Sequence, residues 1–329
     1  QRLLPWRIRM STVSHPLRLT WTQRWRIVRL KGKRVAVTGG TGMIGQTVCR
    51  HLQQAGADVT AMSRRGTPLP GIESRAVDIL GDVDLTGFDT VVHGAAFVGF
   101  GLSKEKEALM HRTNVEGTRN VLDAAVKAGI KRALHISSVA AIGRTGGVPR
   151  DASWIAQRPQ AFHSAYERSK YEAHLEAHGR DDIDVVSVLP SIVLGIGDTS
   201  SGLLYKSFLA KRFPVTPRHP GSLAFVHVED VADAVVRALQ KGSGAYVASQ
   251  ESMDIPTLFA RFAAASGIPA PKRHVPFWML RAVAPFVPAL NADFVRNMSL
   301  HTAYDTSRTH ADLDWQPDMD RHLAAEAYS

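Results

Sequence analysis

The feature that most constrains this chain is a short apolar run, RVAVT, that ends in clustered glycines and opens at once into an amphipathic stretch. It occupies residues 34–54, RVAVTGGTGMIGQTVCRHLQQ. Such a strand, turn and helix is satisfied when the helix lies back across a sheet. The same alternation then repeats. DVTAMSR, SRAVDIL and FDTVVHGAA read as the second, third and fourth strands, and NVEGTRNVLDAAVKAG as a helix. RALHISS is the fifth strand, YERSKYEAHLEAHG a helix and DVVSVLP the sixth strand. Gly56 is placed to close the first helix. Strands rich in Val and Ala, each followed by a helix, predict an α/β fold with a doubly wound parallel sheet covered on both faces.

Beyond Pro190 the pattern loosens. Gly and Pro thicken over 195–222, and LAFVHVEDVADAVVRAL reads as one more strand and helix. Short helices and proline joints then run to the end. The expected organisation is a main domain of residues 32–194 and 223–247, a smaller substrate lobe of 195–222 and 248–329, and a basic tail over 1–31.

The tail accounts for the charge. The net charge is +10, but residues 1–34 hold ten of the 40 Lys and Arg and no acid, leaving the rest with as many bases as acids. A nucleic-acid partner is therefore not expected of the body. Three readings of the tail stay open: an organelle transit segment, an arm on anionic lipid, or upstream sequence from a mis-assigned start. It lacks the apolar core of a secretory signal, so a cytoplasmic location is the expectation, or an organelle if the tail is a transit segment. No window has the ~18 unbroken apolar residues of a membrane span. VPFWMLRAVAPFVPAL (275–290) comes nearest, but Arg281, Pro285 and Pro288 interrupt it. It reads as a pocket-lining or core helix carrying Phe277, Trp278, Leu280 and Phe286. The single Cys49 excludes an internal disulfide and a cysteine-built zinc site, and is expected to be a core residue.

The glycine turn carries the first chemistry. Gly39, Gly42 and Gly45 are spaced G-x-x-G-x-x-G between strand and helix. Glycine there permits a tight turn, close backbone approach to a pyrophosphate, and close packing of helix on strand. Phosphates then meet the free N–H groups at the helix start. Thr41, Gly42, Met43, Ile44 and Gly45 are thus expected around a dinucleotide. Cofactor choice is read after the second strand, where an acid would hold ribose hydroxyls. Here Ser63 and Arg64 stand instead, and a guanidinium suits a 2′-phosphate, so NADP is expected over NAD.

Tyr166 and Lys170 lie at i, i+4 on one helix face. A free phenol is a poor acid or base near neutrality, and a neighbouring ammonium together with the nicotinamide cation is expected to lower its pKa. Ser137 and Ser138 end the fifth strand, where a hydroxyl can donate to a substrate oxygen. Asn114 opens a helix region; it reads either as an organiser of a water or carbonyl, or as an N-cap. His227-Val228-Glu229-Asp230 reads as helix caps rather than ligands, and His174 with His178 lacks a third ligand, so no metal is expected.

Together these motifs resemble the extended short-chain dehydrogenases/reductases. T-G-x-x-G-x-x-G at 38–45, H-x-A-A at 93–96, N-V-x-G-T at 114–118, S-S at 137–138, Y-x-x-x-K at 166–170 and L-P-x-x-V-x-G at 189–195 follow the family's order. FVHVEDVADAVVRAL and YDTSRTHADLDWQP are similar to its later landmarks. The resemblance implies a Rossmann-type fold, with Ser138, Tyr166 and Lys170 as catalytic residues and Asn114 in support. It also implies that Asp78 and Ile79 meet adenine, that Ala95 and Ala96 line the cofactor, and that Pro190 and Val193 lie beside the nicotinamide. Ser138 is followed by Val139 and Ala140 rather than an acid pair, which disfavours dehydration. The chain is similar to dihydroflavonol reductases and 3β-hydroxysteroid dehydrogenases. Such a resemblance implies carbonyl–alcohol interconversion on a small, apolar or polycyclic substrate, and homodimer contact through helices near 104–128 and 162–178. A nucleotide-sugar epimerase using bound NAD and a catalytically silent dinucleotide sensor are the alternatives.

Overall fold

The computed structural model describes residues 30–195, 202–213, 215–218, 221–283 and 299–327. In chain order the strands are β1 (Arg34–Thr38), β2 (Asp58–Ser63), β3 (Glu73–Ala76), β4 (Thr90–His93), β5 (Arg132–Ile136) and β6 (Asp184–Pro190). They continue as β7 (Ile192–Leu194), β8 (Val215–Arg218), β9 (Leu223–His227), β10 (Ala245–Ala248), β11 (Ser252–Met253) and β12 (Arg273–Pro276). Seven of them form one sheet in the order β10-β6-β5-β4-β1-β2-β3. Every pairing in it is parallel. The chain order reverses between β1 and β4, opening the crevice where doubly wound sheets bind ligands.

Helices α1 (Met43–Gln54), α2 (Lys104–Lys127), α3 (Ala165–His178), α4 (Gly202–Leu209) and α5 (Val228–Lys241) come first along the chain. They are followed by α6 (Ile255–Ser266), α7 (Phe277–Val283), α8 (Ser307–Leu313) and α9 (Met319–Ala327). Local chemistry sets several ends. Ser103 and Ser164 accept from the N–H groups of Lys106 and Glu167 and cap α2 and α3. Gly56 has φ +90° one residue beyond the cap of α1, a left-handed backbone that glycine adopts without strain.

α1 and α5 cover one face of the sheet, where Val48, Cys49, Leu52 and Val235 join a core with fully buried Trp315. The indole N–H of Trp315 donates to the Asp230 carbonyl at 2.9 Å, so burying its one polar atom leaves nothing unpaired. α2 and α3 cover the other face, with Val121, Leu122 and Ile183 in its core. Cys49 is buried as expected, and burial pushes its thiol up to about 12.

Three details differ from the sequence reading. LAFVH forms β9, but β9 pairs with β7 and β11 in a separate small sheet; the seventh strand of the main sheet is AYVA, β10. Leu30, assigned to the tail, is 8% exposed and its N–H donates to Ala55, so folded structure already includes it. Over 277–283, Phe277 and Leu280 pack against a separate hydrophobic cluster that includes Tyr205, Phe208 and Phe262, while Trp278 is 69% and Met279 42% exposed. The tail over 1–29, Phe286 and residues 196–201, 214, 219 and 220 lie outside the described residues. Among the described residues, no helix is long and apolar enough to cross a membrane.

Candidate active site

Because the main sheet is parallel, all of its strands end at one edge, and the sequence-predicted residues gather there. The glycine turn follows β1, Arg64 follows β2, Asp78 and Ile79 follow β3, Ala95 and Ala96 follow β4, and Ser138 follows β5. Pro190 closes β6, and Val193 lies in β7. Helices α2 and α3 bring in Asn114, Tyr166 and Lys170.

The glycines of the turn serve different needs. Gly39 has φ +71°, and a Cβ on it would lie 2.7 Å from the Ala95 backbone. A Cβ on Gly45 would lie 2.1 Å from the Gly39 oxygen, so the first turn of α1 seats directly on the loop. Gly40, which the G-x-x-G-x-x-G spacing passes over, is equally constrained: its Cβ would stand 2.8 Å from that of Ala61. Gly42 differs. It is exposed, has an extended backbone (φ −75°, ψ 165°), and its Cβ would meet only the Gly39 oxygen at 3.3 Å. Met43 and Ile44, partly buried, pack against the core, and Thr41 precedes Gly42 with its carbonyl accepting from Gln46.

Past β2, Arg64 and Arg65 are exposed, and no ion pair holds either among the described residues. The Ser63 hydroxyl is buried with no hydrogen-bond partner, as is that of Ser191 just after β6. Such orphaned atoms cost free energy unless something pairs with them. Their positions, at the strand ends beside the crevice, suit the polar edge of a dinucleotide. The Asp78 carboxylate accepts from the Leu80 N–H at 3.0 Å and shapes its own turn, while Ile79 is buried against Gly117.

The Ser138 side chain stands near enough to the Tyr166 phenol to act on its proton. Ser138 accepts from the Ala140 N–H at 3.1 Å, which fixes its rotamer at the start of a short 3₁₀ turn. Burial raises the Tyr166 phenol, and the Ser138 hydroxyl works against it. This corrects the expectation of a phenol lowered by Lys170. The Lys170 ammonium donates instead to the Ile136 carbonyl at 3.2 Å, and burial pulls it from 10.5 to about 8. The Phe100 ring meets Tyr166 edge-on, with centroids 5.4 Å apart, and is itself 42% exposed.

Asn114 sits in the middle of α2 rather than at a cap. Its side-chain oxygen accepts from the Phe97 N–H at 2.7 Å, while its amide donates to the Phe97 carbonyl and to Ser169. Ser169 in turn donates to the Tyr166 carbonyl. Asn114 therefore ties the loop after β4 to the helix that carries Tyr166 and Lys170. A second link runs from the glycine turn. His93 shares hydrogen bonds with Thr38 at 2.7 Å and Thr118 at 3.0 Å, and the Thr118 hydroxyl donates to the Asn114 carbonyl. Burial, with the Lys170 charge nearby, pulls His93 down to about 3, so it stays neutral. His174 is near Ser137, with 3.3 Å between Nδ1 and Oγ, and its ring lies 4.4 Å from that of His178. His227 caps α5 by accepting from the Glu229 N–H.

Comparison with known proteins bears on the family and the fold. A model of the NAD dependent epimerase/dehydratase family matches residues 35–248. A Synechocystis protein that carries the provisional name dihydroflavonol 4-reductase is 31% identical over 320 residues, spanning 88% of this chain and 92% of that one. An anthocyanidin reductase of Arabidopsis thaliana is 28% identical, over 69% of this chain and 78% of the relative. Among solved structures, a short-chain dehydrogenase/reductase superfamily protein of Agrobacterium tumefaciens with bound NAD matches with a TM-score of 0.69. It is 19% identical and spans 89% of this chain and 95% of its own, a likeness of fold.

Proposed function

The chain belongs to the NAD dependent epimerase/dehydratase family, extended short-chain dehydrogenases/reductases with NAD(P)-dependent oxidoreductase chemistry, and from that premise we propose that it interconverts a carbonyl and an alcohol on an apolar, polycyclic substrate, using NADP(H). One observation carries the reading: Ser138, after β5, and Tyr166, at the start of α3, stand together at the carboxyl edge of the sheet, with a buried Lys170 one helical turn further on. In the reductive direction Tyr166 gives its proton to the substrate oxygen, and Ser138 holds that oxygen as charge develops on it. A phenol pushed up by burial keeps its proton until it is needed. Lys170, one turn along the same helix with its ammonium anchored on the Ile136 carbonyl, would hold the ribose of a bound dinucleotide.

The residues present fit a dinucleotide. Gly42 is exposed at the α1 N-terminus, Ser63 and Ser191 hold orphaned hydroxyls, and Arg64 is exposed where a 2′-phosphate would lie. When bound, the nicotinamide supplies or accepts the hydride. NADP over NAD rests on Ser63-Arg64 in place of an acid. The apolar substrate class rests on the exposed Phe100, Val98 and Trp278 and on the flavonoid names of the two curated relatives.

A panel of flat polycyclic and aliphatic ketones, assayed with NADPH at 340 nm, tests the proposal. Wild type should consume NADPH with at least one member of the panel. Tyr166→Phe should lower kcat by about 10²–10⁴-fold with cofactor binding retained. Undiminished turnover by Tyr166→Phe would overturn the assignment. NAD that co-purifies with the protein, with no net turnover of any ketone, would favour a nucleotide-sugar epimerase.

A further inference from the structure

Two charged side chains are buried between the turn that Ser138 caps and the start of the helix that carries Tyr166. Arg158 and Glu167 are 4% and 9% exposed, and they meet at 2.6 Å. Desolvating an ion pair is costly, and an apolar pair of similar volume often stabilises a fold as well or better. The details of this pair point to geometry instead. One Glu167 oxygen takes Arg158; the other accepts from the His163 N–H at 3.0 Å, just before α3. Glu167 directly follows Tyr166 in the first turn of that helix.

Arg158 reaches the other way. Its Nη1 donates to the Ala141 carbonyl at 3.1 Å and to the Ala140 carbonyl at 3.5 Å, and its Nη2 to the Ala161 carbonyl at 3.1 Å. Ala140 and Ala141 belong to the turn that Ser138 caps. The guanidinium lies over the rings of Phe162 and Tyr171, which fix its plane. Gly143 closes the far side with φ +82°, and a Cβ there would lie 2.7 Å from the guanidinium carbon. A rigid, forked donor is what such a junction needs; a lysine offers one flexible point.

We propose that the buried Arg158–Glu167 pair is a positioning clamp that locks the Ser138 turn to the start of the Tyr166 helix and so sets the contact between the two hydroxyls. The kinetic consequence rests on the oxidoreductase reading above; the geometric consequence does not.

The test uses Arg158→Met/Glu167→Leu, which removes a net-neutral pair and leaves apolar groups of similar size, and Arg158→Lys, which keeps the charge but not the fork. Each is made with and without Tyr166→Phe. The Tyr166 titration is then read as the ultraviolet difference between the two backgrounds. Tyr304, whose phenol burial and the Glu167 charge hold up, and the other tyrosines cancel in that difference. Loss of the clamp should move the Tyr166 titration upward by about 0.5–1 pH unit, the scale of one net hydrogen bond. NADPH binding should stay near wild type, and kcat for any ketone turned over should fall up to about 10²-fold. Arg158→Lys should shift in the same direction by less. A Tyr166 titration unchanged in both folded variants would overturn the clamp, as would an unchanged titration in Arg158→Lys should the double variant not fold. If wild type reduces no ketone, the oxidoreductase reading fails while the titration still decides the clamp.

Discussion

A methyl group added at Gly45 would put its carbon 2.1 Å from the Gly39 carbonyl oxygen, while one added at Gly42 would stand 3.3 Å from the same atom. The first distance is more than an ångström inside contact, and the obstacle is backbone on both sides. The start of α1 would have to lift off the loop. Overpacking of this kind costs about 1–3 kcal/mol, and the upper half of that range fits an obstacle that cannot rotate away. At about 2–4 °C per kcal/mol, Gly45→Ala should lower Tm by roughly 4–12 °C. Gly42 needs only a few tenths of an ångström of give. Its φ of −75° suits any residue, and alanine reduces the freedom of the unfolded chain, so Gly42→Ala should hold Tm within about 2 °C. Its methyl would nevertheless stand at the mouth of the helix N-terminus, where a pyrophosphate must approach backbone. NADPH affinity should fall at least about tenfold, or 1.4 kcal/mol. Thermal melts without cofactor and nicotinamide fluorescence titrations read the two effects separately. Gly42→Ala binding NADPH as wild type does, or Gly45→Ala melting as wild type does, would refute this division of roles.

Lys170→Met should raise stability at pH 7 while abolishing carbonyl reduction. Burial holds the folded pKa near 8 against an ordinary 10.5, so the folded chain carries a penalised ammonium below pH 8 that the unfolded chain does not. Removing it should stabilise by on the order of 1–3 kcal/mol below pH 8. That gain should shrink to nothing as pH rises towards 10.5, which melts across pH 7–10 will check. His93 and His174 are both pulled by burial to about 3. Their ring proton resonances should therefore not titrate between pH 5 and 8; a midpoint in that range at either would contradict the burial assigned here.

Much of the site was legible because its signals are local. A glycine turn between strand and helix, and a tyrosine and lysine one helical turn apart, carry their geometry in their spacing. The strand-helix alternation likewise predicted the parallel sheet, and with it the single edge where the motif residues meet. What the spacing missed depends on partners distant in sequence. LAFVH and AYVA are both short apolar runs, and only pairing decides that the second joins the main sheet. Asn114 read as a helix opener because the polar first turns of α2, KEKEALMHRT, show little apolar periodicity. The Tyr166 phenol was expected to be lowered because Lys170 is near in sequence, yet burial acts on both groups and the ammonium faces Ile136. Arg158 and Glu167 gave one faint signal: an acid in the first turn of a helix, which normally answers the helix dipole. Its buried partner, nine residues earlier in an irregular loop, had no period to reveal it.

The central claim is that the crevice binds NADPH for hydride transfer, and a nicotinamide fluorescence titration of the purified chain tests it most directly. Wild type and Arg64→Ala would each be titrated with NADPH and with NADH. The account predicts tighter binding of NADPH by wild type, and an Arg64→Ala variant that loses about tenfold for NADPH while NADH is unchanged. Preference for NADH, with no effect of Arg64→Ala on either cofactor, would contradict the NADP assignment, and binding of neither would contradict the enzyme reading itself.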